Sequence, residues 1–338
     1  MTLDFETICS LAHGVEYTEI RDDSVHFSRF TRHERELLTY GVEKSFATAG
    51  VRLEFETDSK SLALSVSAEK ANPERSFYSF DVYADGKTVG YITNCEGEPT
   101  FPYTDEYTFE DKKAVFALPD GEKRVCVYFP WSAAGRIKAV GLDDDSCARP
   151  VAKKKRVIVY GDSITQGYDS LRPSHSYAAR LADILGAELV NKGIGGSVFM
   201  PPLAGEKNAY TPDLITVAYG TNDWNICDNA VFRANCDAFY GGLTRNYPDT
   251  PVAAISPIWR ADCGEERKLG AFHTVAEIIE ETAAKYGSIF FIDGSDFLPK
   301  DKALYRDGYL HPNDKGFEIY AAALAEKLKE KVPHLFAE

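Results

Sequence analysis

The bulky apolar run Val157-Ile158-Val159-Tyr160 stops abruptly at Gly161-Asp162-Ser163-Ile164-Thr165-Gln166-Gly167. In an α/β sheet a buried strand ends this way at its carboxyl edge, and a serine at the turn into the next helix exposes its hydroxyl as a nucleophile. The N–H groups of such a turn can receive negative charge. An ordinary turn or a helix N-cap would use the same residue types, so Ser163 needs partners before it means chemistry.

Three further segments follow predicted strands. Asn191-Lys192-Gly193-Ile194-Gly195-Gly196-Ser197 carries three glycines in four positions, which permits positive φ and close backbone approach to a ligand, or simply a tight turn. Gly220-Thr221-Asn222-Asp223 offers an amide that could donate to an oxyanion or cap the next helix. Asp307-Gly308-Tyr309-Leu310-His311-Pro312-Asn313-Asp314 places a histidine in a loop before the last predicted helix, with an acid four residues earlier. His273 falls inside a predicted helix, and His175 is a lesser competitor as base. Acyl transfer requires a nucleophile, a base, a group orienting the base and oxyanion donors. One copy of each follows successive strands.

These residues need a scaffold, and the chain offers two. Between about 15 and 145 it reads in short alternating runs, such as Val51-Arg52-Leu53-Glu54-Phe55 and Leu62-Ala63-Leu64-Ser65-Val66, separated by turns such as Asp85-Gly86. That period predicts antiparallel strands in a sandwich or jelly roll. After Pro150, apolar strands over 157–160, 187–190, 214–219, 251–255 and 289–292 alternate with helices over 175–186, 229–246, 265–286 and 313–330. Such alternation predicts a parallel sheet covered on both faces, with ligands at the strands' carboxyl ends. The predicted domains are a β-sandwich over 1–148 and a catalytic α/β domain over 149–338.

Composition narrows the function. An apolar content of 44% over 338 residues suits a buried core, and a net charge of −14 disfavours nucleic acid and anionic membrane as partners. The basic run Lys153-Lys154-Lys155-Arg156 reads as a solvated linker end. Neither a secretion signal nor an apolar stretch of membrane-spanning length is legible. Seven cysteines without a C-x-x-C pair read as reduced thiols and point to the cytoplasm. The strand ends carry no His-x-x-x-His or cysteine cluster, so neither metal nor cofactor is expected. Self-association into a homo-oligomer stays open.

Gly161-Asp162-Ser163, Gly196 within Asn-x-Gly-x-Gly-Gly, Gly220-Thr221-Asn222-Asp223 and His311-Pro312-Asn313-Asp314 together resemble the four blocks of the SGNH, or GDSL, hydrolase superfamily, over residues 156–330. The resemblance implies a flavodoxin-like three-layer α/β/α domain. It implies Ser163 as nucleophile, His311 as general base, and an oxyanion hole from the Ser163 and Gly196 N–H groups and the Asn222 amide. The chain departs from the superfamily at one point. The usual acid lies three residues before the histidine, where this chain has Gly308; Asp307 is the nearest acid, and a backbone carbonyl orienting His311 is the alternative.

A β-sandwich ahead of such a domain is similar to two-domain carbohydrate acetylesterases. The function this implies is hydrolysis of short acyl, chiefly acetyl, esters of a carbohydrate, the substrate being a small-molecule or oligosaccharide ester. The alternatives are a thioesterase or lysophospholipase, and a non-catalytic carbohydrate-binding protein. Tyr78, Tyr83, Tyr103, Tyr107 and Trp131 are sugar-stacking candidates, though aromatics in strands more often belong to the core. Trp259 and Arg260, just past the strand at 251–255, are candidate substrate contacts, with packing as the plainer alternative.

Overall fold

The structure is a computed structural model that describes residues 1–99, 101 and 106–337. Tyr103 lies outside the described residues. Two compact units interleave in sequence: Met1–Thr31, Glu43–Lys153 and Leu171–Ser174 form the first, and Arg32–Val42, Lys154–Ser170 and His175–Glu338 the second. The division is therefore not a single break between residues 148 and 149.

The first unit holds helix α1 (Phe5–Ser10) and strands β1 (Ala12–His13), β2 (Tyr17–Arg21), β3 (Ser24–Ser28), β4 (Arg52–Thr57), β5 (Ser61–Lys70) and β6 (Ser79–Ala84). It continues through β7 (Lys87–Thr93), β8 (Lys112–Ala117), β9 (Lys123–Tyr128), β10 (Ala133–Leu142) and β11 (Arg149–Pro150). The strands pair as two antiparallel sheets, β1-β4-β9-β6-β7 with β11 on β4, and β2-β3-β10-β5-β8. Along β5 the alternating burial of Leu62, Leu64, Val66 and Ala68 is the period-two pattern of a half-buried strand, and these residues join Phe55, Phe80, Val125 and Val127 in one core. Tyr78 and Trp131 are buried, so they fill interior space and present no face to a sugar; Tyr83 and Tyr107 are half-buried.

The second unit begins with helix α2 (Arg32–Glu36), a segment that alternation alone assigns to the sandwich. Its Glu34 is buried against Lys192 at 2.6 Å, an ion pair with neither partner exposed. The sheet follows as β12 (Lys155–Gly161), β13 (Ala187–Gly193), β14 (Leu214–Ala218), β15 (Val252–Ile255), the two-stranded hairpin β16 (Glu266–Arg267) and β17 (Gly270–Ala271), and β18 (Ile289–Ile292). The five main strands are all parallel, in the order β13-β12-β14-β15-β18. The helices are α3 (Ser163–Gln166), α4 (Tyr177–Leu185), α5 (Pro201–Gly205), α6 (Asp223–Ile226), α7 (Asn229–Asn246), α8 (His273–Ala283) and α9 (Asp314–Lys331).

Strand β12 shows why the sheet is covered twice. Val157 and Val159 pack into the core with Tyr177 and Leu181 of α4 and Phe317 and Leu324 of α9. Tyr160, of opposite parity, meets Phe239 of α7 edge-on at 5.4 Å. The helix expected over 265–286 is shorter than predicted. Gly270 at φ +109° turns the chain into the hairpin, and Leu269 N–H is drawn to the Trp224 carbonyl, so α8 starts at His273. Among the described residues no helix is long and apolar enough to cross a membrane.

Candidate active site

The site sits at the carboxyl ends of β12, β13 and β14. Gly161 closes β12 because nothing larger fits: a Cβ there would lie 2.0 Å from the Thr165 hydroxyl. Asp162 then caps α3 by accepting the Ile164 N–H at 2.9 Å, which makes Ser163 the first helical residue. Burial pushes the Asp162 carboxyl up to about 6, against the opposing pull of the Ile164 N–H, His311 and Arg260.

The glycine-rich loop after β13 is tied to this turn. Asn191 donates to the Thr165 carbonyl at 2.8 Å and accepts the Gly193 N–H at 2.8 Å, while Gln166 accepts the Gly195 N–H at 2.8 Å. Gly196 lies at φ +82°, with the Tyr40 hydroxyl packed on the side a Cβ would occupy. Among the described residues, the N–H groups of Ser163 and Gly196 take part in no hydrogen bond. Unpaired N–H donors beside a nucleophile are what an oxyanion hole offers.

Asn222 offers a third donor beside them. Its side chain makes no cap bond to α6, which removes the capping alternative, and its amide nitrogen donates to the Ser197 carbonyl at 3.0 Å. That bond uses one of the two amide hydrogens and fixes the other. Asp223 beneath it accepts Phe199 N–H at 3.1 Å and Gly220 N–H at 3.0 Å, bracing both loops. Burial raises its carboxyl to about 7 despite those N–H groups.

Ser163 Oγ lies 2.9 Å from His311 Nε2, and His311 Nδ1 lies 2.9 Å from Asp307 Oδ2. With Nδ1 facing a carboxylate, the proton is assigned to Nδ1, leaving Nε2 as acceptor for the serine hydroxyl. The extra residue between acid and histidine is absorbed by Gly308 at φ +63°. Asp307 Oδ1 accepts the N–H groups of Tyr309, Leu310 and His311 at 2.9, 2.7 and 3.1 Å. The loop thus closes around the carboxylate, and the orienting group is Asp307 rather than a backbone carbonyl. Burial pushes the Asp307 carboxyl up, but the His311 ring and the Leu310 and Tyr309 N–H groups outweigh it and hold the carboxyl below its ordinary range.

His175 lies apart from this relay, with Nδ1 2.9 Å from Asp314. Trp259 is half-buried, with its ring 5.3 Å from that of Tyr305. Arg260, expected at the substrate, has another role. It is 2% exposed, donates to both Asp262 carboxylate oxygens at 2.5 and 3.1 Å, to the Thr221 carbonyl at 3.0 Å and to the Tyr309 hydroxyl at 2.6 Å. A guanidinium so engaged braces the Asn222 and His311 loops against each other. It is a correction that burial decides and that position along the chain does not show.

Sequence reasoning missed Asp169, which is fully buried at φ +67° with its carboxylate 3.4 Å from His311 Nδ1. It also missed Tyr168, whose ring lies 5.7 Å from the His311 ring. The signal was present as an acid six residues past the serine, but spacing alone does not tell such an acid from a turn residue. Asp169, Asp307 and His311 hold ligand-type atoms within 4.8 Å of one another, a spacing that would also suit a cation. A cation there would take His311 Nδ1 from Asp307, so metal binding and the relay are mutually exclusive.

Fold and site share the arrangement of the SGNH hydrolases: a parallel sheet covered by helices, with Ser163 after β12, Gly196 after β13, Asn222 after β14 and His311 in the loop before α9. Residues 159–319 match the GDSL-like Lipase/Acylhydrolase family. No curated protein matches the chain. Among solved structures, the salicylyl-acyltransferase SsfX3 from a tetracycline biosynthetic pathway is 22% identical with a TM-score of 0.80, over 95% of this chain and 94% of that one. A family two carbohydrate esterase from Cellvibrio japonicus is 18% identical with a TM-score of 0.66, over 98% and 97%. One from Clostridium thermocellum, in complex with cellohexaose, is 16% identical with a TM-score of 0.67, over 95% and 98%. At these identities the likeness is one of fold, a β domain preceding the SGNH unit.

Proposed function

We propose that the chain is a serine esterase that removes short acyl groups, acetyl foremost, from a carbohydrate. The observation that carries the proposal is the continuous relay Ser163–His311–Asp307, with unpaired N–H groups at Ser163 and Gly196 beside it. Ser163 Oγ attacks the ester carbonyl as its proton passes to His311 Nε2, and Asp307 steadies the imidazolium through Nδ1–H. The carbonyl oxygen gains negative charge and is received by the Ser163, Gly196 and Asn222 N–H donors. Collapse of the tetrahedral species expels the sugar hydroxyl, which takes the proton from His311. Water then attacks the acyl-serine through the same base, releasing the carboxylic acid and restoring Ser163.

The carbohydrate assignment is supported by the sandwich-plus-hydrolase layout shared with the carbohydrate esterases. A second reading is favoured by the similarity to an acyltransferase: the same acyl-serine would pass to a hydroxyl acceptor instead of water. Acetate release from acetylated mono- and oligosaccharides, beside aryl esters of increasing chain length, tests the first reading. Expected is turnover that falls sharply beyond short chains and is abolished in Ser163→Ala. Undiminished turnover by that variant refutes the nucleophile. Preference for long chains favours a thioesterase or lysophospholipase, and acylated acceptor forming in place of free acid favours transfer.

A further inference from the structure

His311 Nδ1 faces two carboxylates. Asp307 Oδ2 is the nearer at 2.9 Å, and Asp169 Oδ2 lies at 3.4 Å. They reach the ring from different parts of the chain: Asp307 from the loop before α9, Asp169 from the turn that leaves α3 six residues after the nucleophile. Asp169 is fully buried and sits at φ +67°, a conformation rare for any residue but glycine and best tolerated by Asn and Asp. A buried acid in a left-handed turn persists only where its surroundings hold it there.

Asp307 is also committed elsewhere. Its Oδ1 accepts three N–H groups of its own loop, so its position is coupled to a turn one residue longer than the superfamily pattern. A tilt of the imidazole by about half an ångström would exchange one carboxylate for the other within hydrogen-bond range.

We propose that Asp169 is a second positioning carboxylate for His311, sharing the Nδ1 proton with Asp307 and keeping the ring in the base-competent tautomer when Asp307 cannot. The inference rests on the serine-esterase reading above. Substituting one acid then leaves the other to orient the ring, and only loss of both releases it.

The test is a double-mutant cycle on aryl acetate hydrolysis with Asp307→Asn, Asp169→Asn and the double variant. In Asp307→Asn the amide oxygen keeps the three backbone N–H bonds, and the amide NH2 turns toward Nδ1. Where a single acid orients the ring, that substitution imposes the wrong tautomer and costs roughly 10⁴-fold in kcat. Here Asp169 still accepts Nδ1–H, so Asp307→Asn is expected to lose about 10–100-fold and Asp169→Asn less than about tenfold. The double variant is expected to lose on the order of 10⁴-fold, far more than the product of the two. The losses should fall in kcat with KM little changed, which a merely structural role would not produce.

A second readout stands apart from turnover: the low-field proton resonance of His311 Nδ1–H at acidic pH. Expected is its retention in Asp307→Asn and its loss in the double variant. Asp169→Asn should melt close to the native protein; if it does not fold, retention or loss of the resonance in Asp307→Asn decides alone. A full 10⁴-fold loss in Asp307→Asn, purely multiplicative losses, or a resonance absent from Asp307→Asn would each overturn the proposal. Failure of the esterase reading looks different: the native protein would neither turn over esters nor be labelled at Ser163 by a fluorophosphonate, whatever the resonance does.

Discussion

Replacing Asn222 with alanine separates chemistry from scaffolding at this site. The side chain makes no cap bond and is held by one hydrogen bond, from its amide nitrogen to the Ser197 carbonyl at 3.0 Å. A half-buried amide with a single neutral hydrogen bond contributes about 1 kcal/mol to folding, so the melting temperature should fall by only a few degrees. In the proposed role of oxyanion donor it would contribute far more to the transition state. Removing one such donor costs about 10²–10³-fold in kcat, or roughly 3–4 kcal/mol of barrier. Because the charge it receives exists only in the transition state, KM should be nearly unchanged. The assay is initial-rate hydrolysis of an aryl acetate, with kcat and KM resolved, on protein whose Ser163 still reacts with a fluorophosphonate. Asn222→Asp, of the same shape but without donors, should be at least as impaired. A kcat loss below about fivefold, or a loss carried entirely by KM, would refute the oxyanion assignment.

Three other outcomes follow from burial and charge. Glu34→Gln removes the carboxylate charge 2.6 Å from the buried Lys192 ammonium, so a loss of about 3–5 kcal/mol is expected, read as a melting-temperature drop on the order of 10 °C; a drop under about 2 °C would mean that other groups carry the Lys192 charge. Arg260→Ala frees the Thr221 carbonyl and the Tyr309 hydroxyl, loosening the Asn222 and His311 loops together, and kcat should fall on the order of 10²-fold. A change in KM alone would return Arg260 to the substrate. Asp223 holds its proton up to about 7 in the folded protein but only to about 4 when unfolded, so its contribution weakens the fold as pH rises between those values and levels off above. Asp223→Asn, which loses the Gly220 acceptor at every pH, should therefore recover up to about 4 kcal/mol relative to the native protein between pH 4 and pH 7; a gap independent of pH across that range contradicts this.

The candidate residues were legible because their signals are local. An apolar run that stops at glycine, a glycine triplet and a histidine before a helix each follow from steric and capping rules spanning a few residues. The parallel sheet was legible for the same reason, since Val157 and Val159 point one way and Tyr160 the other. The misreadings have the opposite cause. The helix expected from 265 begins at His273 because the Trp224 carbonyl, distant in sequence, holds Leu269 in a hairpin.

By itself, then, the sequence determined the chemical identities at the strand ends and the layer architecture beneath them. Which acid lies against His311, whether Asn222 caps a helix, and whether Arg260 is exposed or buried between two loops were decided only by tertiary structure. So was the membership of Arg32–Val42 in the hydrolase unit. The physical reason is common to all four. The free energy of a polar side chain depends on burial and on partners far along the chain, and no local pattern carries that information.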